Sequence, residues 1–172
     1  MGTSHEFAPS TLREVSEEDD GVYVIAVGET SDPESWQLAL MECDEDAVED
    51  PQEIALGWDT YCLVVDPGQA THYGGVVECE VTETRLRLTL TSEAAQALAL
   101  PTDATFGLQL TADQMFMLKR GLTRVLTSGR SDARPALLLH QRNRYADLGD
   151  FPLGANGKSP RSDASAPGRY SA

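Results

Sequence analysis

Lysine is almost missing from this chain, with two residues in 172. Eleven arginines supply the other cations against 28 aspartates and glutamates, and the formal net charge is −15. A chain this acidic is repelled by nucleic acid and by anionic lipid, whose ligands must neutralise phosphate. Neither nucleic acid nor membrane is expected as a partner. Cysteine is scarce and odd in number: Cys43, Cys62 and Cys79. That excludes a disulfide framework and fits a reducing, cytoplasmic setting. No apolar run approaches the roughly 18 residues of a membrane helix. Met1 to Ser10 lacks the basic flank and apolar core of a secretory signal. Histidine is limited to His5, His72 and His140. No Gly-x-Ser-x-Gly elbow and no His-Glu-x-x-His pair occurs. No catalytic residue and no cofactor is therefore expected, although acidic residues are too many to exclude a carboxylate pair for glycoside chemistry.

What is present is enough for one ordinary domain. Hydrophobic residues make up 41% of the chain, and a chain of this length buries roughly 70% of its unfolded surface without a staple. Charge divides the chain. Residues 1–129 carry six basic and 24 acidic side chains, net −18, while residues 130–172 carry seven basic and four acidic, net +3. The reading is an acidic leader over 1–20, one domain over 21–140, and a flexible Ser/Pro/Gly/Arg-containing tail over 141–172, with 152–172 too poor in apolar residues to order. The excess of Arg over Lys, with frequent Ala, hints at a GC-rich bacterial genome.

Hydrophobic periodicity predicts strands over Gly21–Gly28, Trp36–Met41, Thr60–Val65, His72–Val81, Thr84–Thr91 and Thr105–Leu110. The first is apolar on both faces, Val22, Val24 and Ala26 against Tyr23, Ile25 and Val27, so it is expected to be covered on both sides. Asp66-Pro67-Gly68-Gln69 is a turn. Ser92 caps a helix over Glu93–Leu100, stopped by Pro101. A second helix starts at Thr111, carries Met115, Leu118, Leu122, Val125 and Leu126 on one stripe, and ends at Gly129. Ala136–Leu139 is an apolar run able to dock as a strand or short helix. Strands first and helices late predict an α+β fold, with a mainly antiparallel sheet of about six strands and two helices packed on it.

Local motifs are weighed one by one. Gly154-Ala-Asn-Gly157-Lys158-Ser159 resembles the end of a phosphate loop, but Pro152 replaces a required glycine and Pro160 forbids the following helix. The cysteines, even with His72, lack the paired knuckle of a zinc site and read as small core residues, so no metal is expected. Gly74-Gly75 inside a strand marks a bulge or a close backbone approach. The most unusual stretch is Glu42, Asp44, Glu45, Asp46, Glu49, Asp50 and Glu53, seven carboxylates in twelve residues. It lacks the glycine and the spacing of a calcium loop. It is either a solvated loop or a surface for a basic partner. Trp58 just after it is either an interface anchor or a core or sheet-edge residue.

Several of these residues together resemble a known family. Gly57-Trp-Asp-Thr-Tyr-Cys62, then Thr71-His-Tyr-Gly-Gly-Val76, then Leu86-x-Leu-x-Leu leading into Ala94-Ala-x-Ala-Leu98 is similar to the immunity protein 10 family, over about residues 20 to 128. The resemblance implies a bacterial protein encoded beside a polymorphic toxin, which binds a cognate toxin domain and neutralises it by occlusion, without catalysis. It transfers no catalytic residue. Asp59, Tyr61, Tyr73, Gly74 and Gly75 are its signature, read as structural. A toxin that acts on nucleic acid is basic, and an acidic inhibitor would complement it. The rival readings are an acidic scaffold or regulatory module for another basic protein, and a small hydrolase.

Overall fold

A computed structural model describes residues 8–43 and 50–140. The strands are β1 (Thr11–Leu12), β2 (Glu14–Asp20), β3 (Val22–Gly28), β4 (Gln37–Met41), β5 (Cys62–Asp66), β6 (Ala70–Tyr73), β7 (Val76–Val81), β8 (Arg85–Leu90), β9 (Asp103–Leu108) and β10 (Ala136–Leu139). The helices are α1 (Pro51–Ala55), α2 (Ser92–Leu98) and α3 (Ala112–Leu126), with a 3₁₀ turn at Ser131–Ala133. The class is α+β with mainly antiparallel pairing, as the periodicity implies. The strands divide between two five-stranded sheets. One has the order β2-β3-β4-β5-β6 and is antiparallel throughout; the other has the order β1-β9-β8-β7-β10, with β1 and β10 parallel to their neighbours. A single buried cluster joins both sheets to α2 and α3. No helix among the described residues is long and apolar enough to cross a membrane.

Two expectations about continuity change. The segment read as an acidic leader contributes β1 and the whole of β2, which pairs with β3 from Glu14–Gly28 to Asp20–Val22. Its acids tolerate a strand because alternate ones meet cations on α3: Glu17 pairs with Arg120, and Asp19 lies 3.0 Å from Arg124. The Arg120 guanidinium, and then the Tyr23 hydroxyl, hold the Glu17 carboxyl below its ordinary range. The predicted strand His72–Val81 is two strands, β6 in one sheet and β7 in the other. Gly74 (φ 67°) and Gly75 (φ 87°) form the crossing between them, in backbone that L side chains rarely adopt. The register irregularity does occur, one step later, between Val76 and Glu78.

Tyr61 fastens the sheets at this crossing. It is fully buried, its hydroxyl accepts from the Val76 N–H at 3.0 Å, and its carbonyl accepts from the Gly74 N–H at 2.7 Å. Burial pushes the Tyr61 hydroxyl and the Cys79 thiol each up to about 12. Both groups fold in their neutral forms. A raised folded-state pKa means that their stabilisation is complete below the unfolded values and is lost as pH climbs toward 12. The thermal midpoint is therefore expected to hold from pH 7 to 8.5 and then to fall progressively through pH 10 and 11, by circular dichroism.

Helix caps follow the local chemistry, with small offsets. Thr91 rather than Ser92 caps α2, accepting from Ala94 N–H at 3.2 Å, and Ala99 in the left-handed region closes it before Pro101. Thr111 and Gln114 form a capping box on α3. Along α3, Leu118, Leu122, Val125 and Leu126 are buried, and Gly121 faces β3. A Cβ at Gly121 would sit 2.6–2.8 Å from Cβ, Cγ1 and Cδ1 of Ile25, itself fully buried. Alanine would gain about 1 kcal/mol of helix propensity, but the branch of Ile25 cannot swing aside. Gly121→Ala is expected to be destabilising by a net ~1–2 kcal/mol, and Gly121→Ala with Ile25→Ala less so than the sum of the two. Chemical denaturation of the three variants measures this.

Candidate binding surface

The expectation that β3 is covered on both faces holds in full for one face and in part for the other. Tyr23, Ile25 and Val27 are buried toward α3 and the core. The opposite face of the same sheet is apolar and partly exposed, with Ala26 and Cys62 buried in it and Val24, Ala39, Met41 and Val64 half-buried. Its residues follow from the strand period and the register: Val22, Val24 and Ala26 of β3, Ala39 and Met41 of β4, Cys62 and Val64 of β5, and Tyr73 of β6. On β2 the same face carries Ser16, Glu18 and Asp20, so one border of the apolar face is acidic, while Glu14 at the strand's start accepts from Gln114 of α3. Val22 and Tyr73 are 40% and 38% exposed.

At one end of this face lies an open groove of about 270 Å³. Its floor is a row across neighbouring strands, Met41 opposite Cys62 and Cys62 opposite Tyr73, with Val22 beside it. Glu42, Cys43, Glu53, Trp58 and Thr60 complete the lining. The wall that bears Glu53 and Trp58 is built by α1. Asp50 caps the helix, its side chain accepting from Gln52 N–H at 2.8 Å, and Pro51 opens it. Gly57 ends it in the left-handed region (φ 79°). Gly57 N–H donates to Ile54 C=O and Trp58 N–H to Glu53 C=O, the paired bonds of a Schellman motif. The chain turns there, and Trp58 is set against Tyr73 with ring centroids 6.2 Å apart and planes at 37°. Trp58 stays 42% exposed, with Ile54 and Leu56 exposed on the same connection.

The residue types in the groove define its chemistry. Burial raises the Cys62 thiol to about 11, so it is a protonated, apolar floor and no nucleophile. Glu42 is shared with the α3 side, where Arg124 Nη2 lies 2.8 Å from its Oε2. Behind the groove, Asp59 is 3% exposed; Arg130 reaches its Oδ2 at 3.2 Å, and no partner reaches Oδ1 among the described residues. The backbone of Asp59 also accepts from Arg130 N–H at 3.0 Å, and a Cβ on Gly129 would meet that same carbonyl at 2.5 Å. Among the described residues, no group of three His, Cys, Asp or Glu is placed to hold a metal.

The residues singled out from sequence thus separate. Glu42, Glu53 and Trp58 come together in the groove. Asp50 is a helix cap. Asp44, Glu45, Asp46 and Glu49 lie outside the described residues, as does the tail beyond His140. Of the family-signature residues, Tyr73 lines the groove, whereas Asp59, Tyr61, Gly74 and Gly75 build the frame behind it. Sequence reasoning missed Tyr73 as a groove residue, along with Val22, Met41 and Cys62; the outward phase of the strands was the available signal.

A partly exposed apolar face with an aromatic pair at one end and acids along its border has the make-up of a surface that another macromolecule covers. The family model of immunity protein 10 matches residues 11–115, from β1 into α3, and the chain belongs to this family of immunity proteins. The match begins earlier and ends sooner than the residues 20 to 128 that the motifs suggest, and it takes in β1 and the acidic β2. No curated protein and no solved structure matches the chain.

Proposed function

We propose that this protein neutralises a cognate bacterial toxin domain in the cytoplasm of the producing cell, by tight binding and occlusion and without catalysis. Membership of the immunity protein family carries the reading. The partly exposed apolar face supports it, because among the described residues β3 is fully buried on the side of Tyr23, Ile25 and Val27, whereas Val22 is exposed and Val24 half-buried on the other. The acidic surface favours a basic toxin. Complementary charge speeds encounter, while the apolar face and Trp58 supply the area that holds the complex. The 42–53 stretch, with Trp58 behind it, is the first candidate for the contact surface.

Affinity capture from the native strain, followed by protection of cells that express the captured toxin, tests the reading. Failure to protect sinks it. The part played by the acidic stretch is separable. Replacing Asp44, Glu45, Asp46, Glu49 and Asp50 by Asn or Gln is expected to leave folding intact and to slow association about tenfold at low salt. The gap should close as salt screens the field. Association rates at two ionic strengths measure it, and an unchanged salt slope would make the stretch a mere connection.

A further inference from the structure

Glu42 separates two neighbouring arrangements of the same chemistry. On its α3 side the protein already holds a guanidinium. Arg124 lies 4.1 Å from the centroid of the Tyr23 ring, with Nη1 3.0 Å from Asp19 and Nη2 2.8 Å from Glu42. On its other side the groove repeats the aromatic and acidic parts, Trp58 and Tyr73 as rings and Glu53 as a second carboxylate. Among the described residues, no cation lies over either ring and no basic side chain pairs with Glu53. The floor of Val22, Met41 and Cys62 is apolar and suits a methylene stem.

We propose that this groove receives an arginine side chain presented by a basic partner protein, its guanidinium stacked on the Trp58–Tyr73 pair and hydrogen-bonded to Glu53. The proposal deepens the binding reading above and rests on it for the identity of the partner. Arginine is favoured over lysine because a planar, weakly hydrated guanidinium stacks on an aromatic face and still donates in its plane, which a compact ammonium does not. A second copy of this chain is a poor occupant. Each copy carries −15, and β2 brings Glu18 and Asp20 to the border of the same face.

The groove carries its own reporter. Trp58 is exposed, whereas Trp36, the other tryptophan, is 5% exposed. The full-length protein is titrated with acetyl-triarginine amide and with acetyl-trilysine amide while tryptophan emission is followed. The arginine peptide is expected to change emission saturably and to bind about fivefold more tightly than the lysine peptide. Tyr73→Leu and Glu53→Gln, which keep the reporter, should each weaken it about threefold or more. Glu34→Gln serves as the charge control. It sits in the β3–β4 hairpin, about 20 Å away at the far end of a seven-residue strand, and should leave binding unchanged. Equal affinity for the two peptides, equal weakening by Glu34→Gln and Glu53→Gln, or no saturable change would each overturn the proposal. The two readings fail separately. A protein that protects cells but ignores the peptide loses only this inference, and one that binds the peptide in the groove but protects no cell loses only the toxin reading.

Discussion

Gly75→Val is expected to be the most damaging single substitution at the sheet crossing, lowering stability by about 3–5 kcal/mol. Two costs combine. The residue holds φ at 87°, where a β-branched side chain is strained by roughly 1–3 kcal/mol. A Cβ there would also lie 2.5 Å from the Cβ of Ala94 and 3.1 Å from the His72 ring. Ala94 is fully buried in α2, whose N-terminus is tied to the crossing through Thr91 N–H to Gly75 C=O at 2.8 Å, so it has no room to retreat. Overpacking of this kind adds roughly 1–3 kcal/mol. For a chain of this size the thermal midpoint should fall by about 10 °C. Gly74→Ala provides the contrast. Its φ is also positive, at 67°, but a Cβ would meet only the Thr60 side chain, nearest at Oγ1 at 3.4 Å, an ordinary contact. It should cost about 1 kcal/mol. Equal melting of the two variants would show that the crossing relaxes and that the proximity of Ala94 is of no consequence.

Trp58→Ala is expected to produce the largest functional loss with the smallest structural one. The side chain is 42% exposed and outside the buried cluster, so the thermal midpoint should move by only a few degrees. Central aromatic anchors contribute about 2–4 kcal/mol on truncation, so affinity for the captured toxin should fall about 30- to 1,000-fold. Phe116 is the matched control. It is the more exposed aromatic, at 67%, and lies on α3 with Arg120 5.8 Å from its ring. Phe116→Ala should leave affinity intact if the partner covers the β2–β6 sheet and not the helix. The opposite ranking in calorimetry would move the interface to α3 and refute the assignment of the groove.

The elements were legible where side-chain period and punctuation act locally. Leu86, Leu88 and Leu90 alternate with Arg85, Arg87 and Thr89, and β8 is found at that place. The stripe from Leu118 to Leu126 and the Thr111 cap gave α3. The acidic β2 was not legible, since a run of carboxylates has no reason to pair until Arg120 and Arg124 stand beside it, about a hundred residues away along the chain. The short α1 was hidden for the same reason: Asp50 and Glu53 read as charge, not as a cap and a helical turn. Half of the groove was legible as acids followed by a tryptophan, whose exposure only the structure shows. The other half belongs to strands whose outward residues look like core residues in sequence.

By itself, the sequence determined the class of fold, the acidic character and the family signature, because composition, period two against 3.6, and turn residues act over a few positions. It also determined that β3 is apolar on two faces. Which face the chain would cover was decided only by tertiary structure. Alternation states that Val22, Val24 and Ala26 lie opposite Tyr23, Ile25 and Val27, but it does not say which set α3 will meet. α3 meets the Ile25 set, at a distance that only a glycine at 121 allows. The division into two sheets was likewise decided at Gly74 and Gly75, where two positive φ angles carry one apparent strand out of one sheet and into the other. The same crossing leaves Tyr73 at the end of β6, and the Schellman turn at Gly57 brings Trp58 to it. A pairing across fifteen residues of sequence depends on both turns at once, and no local pattern encodes it.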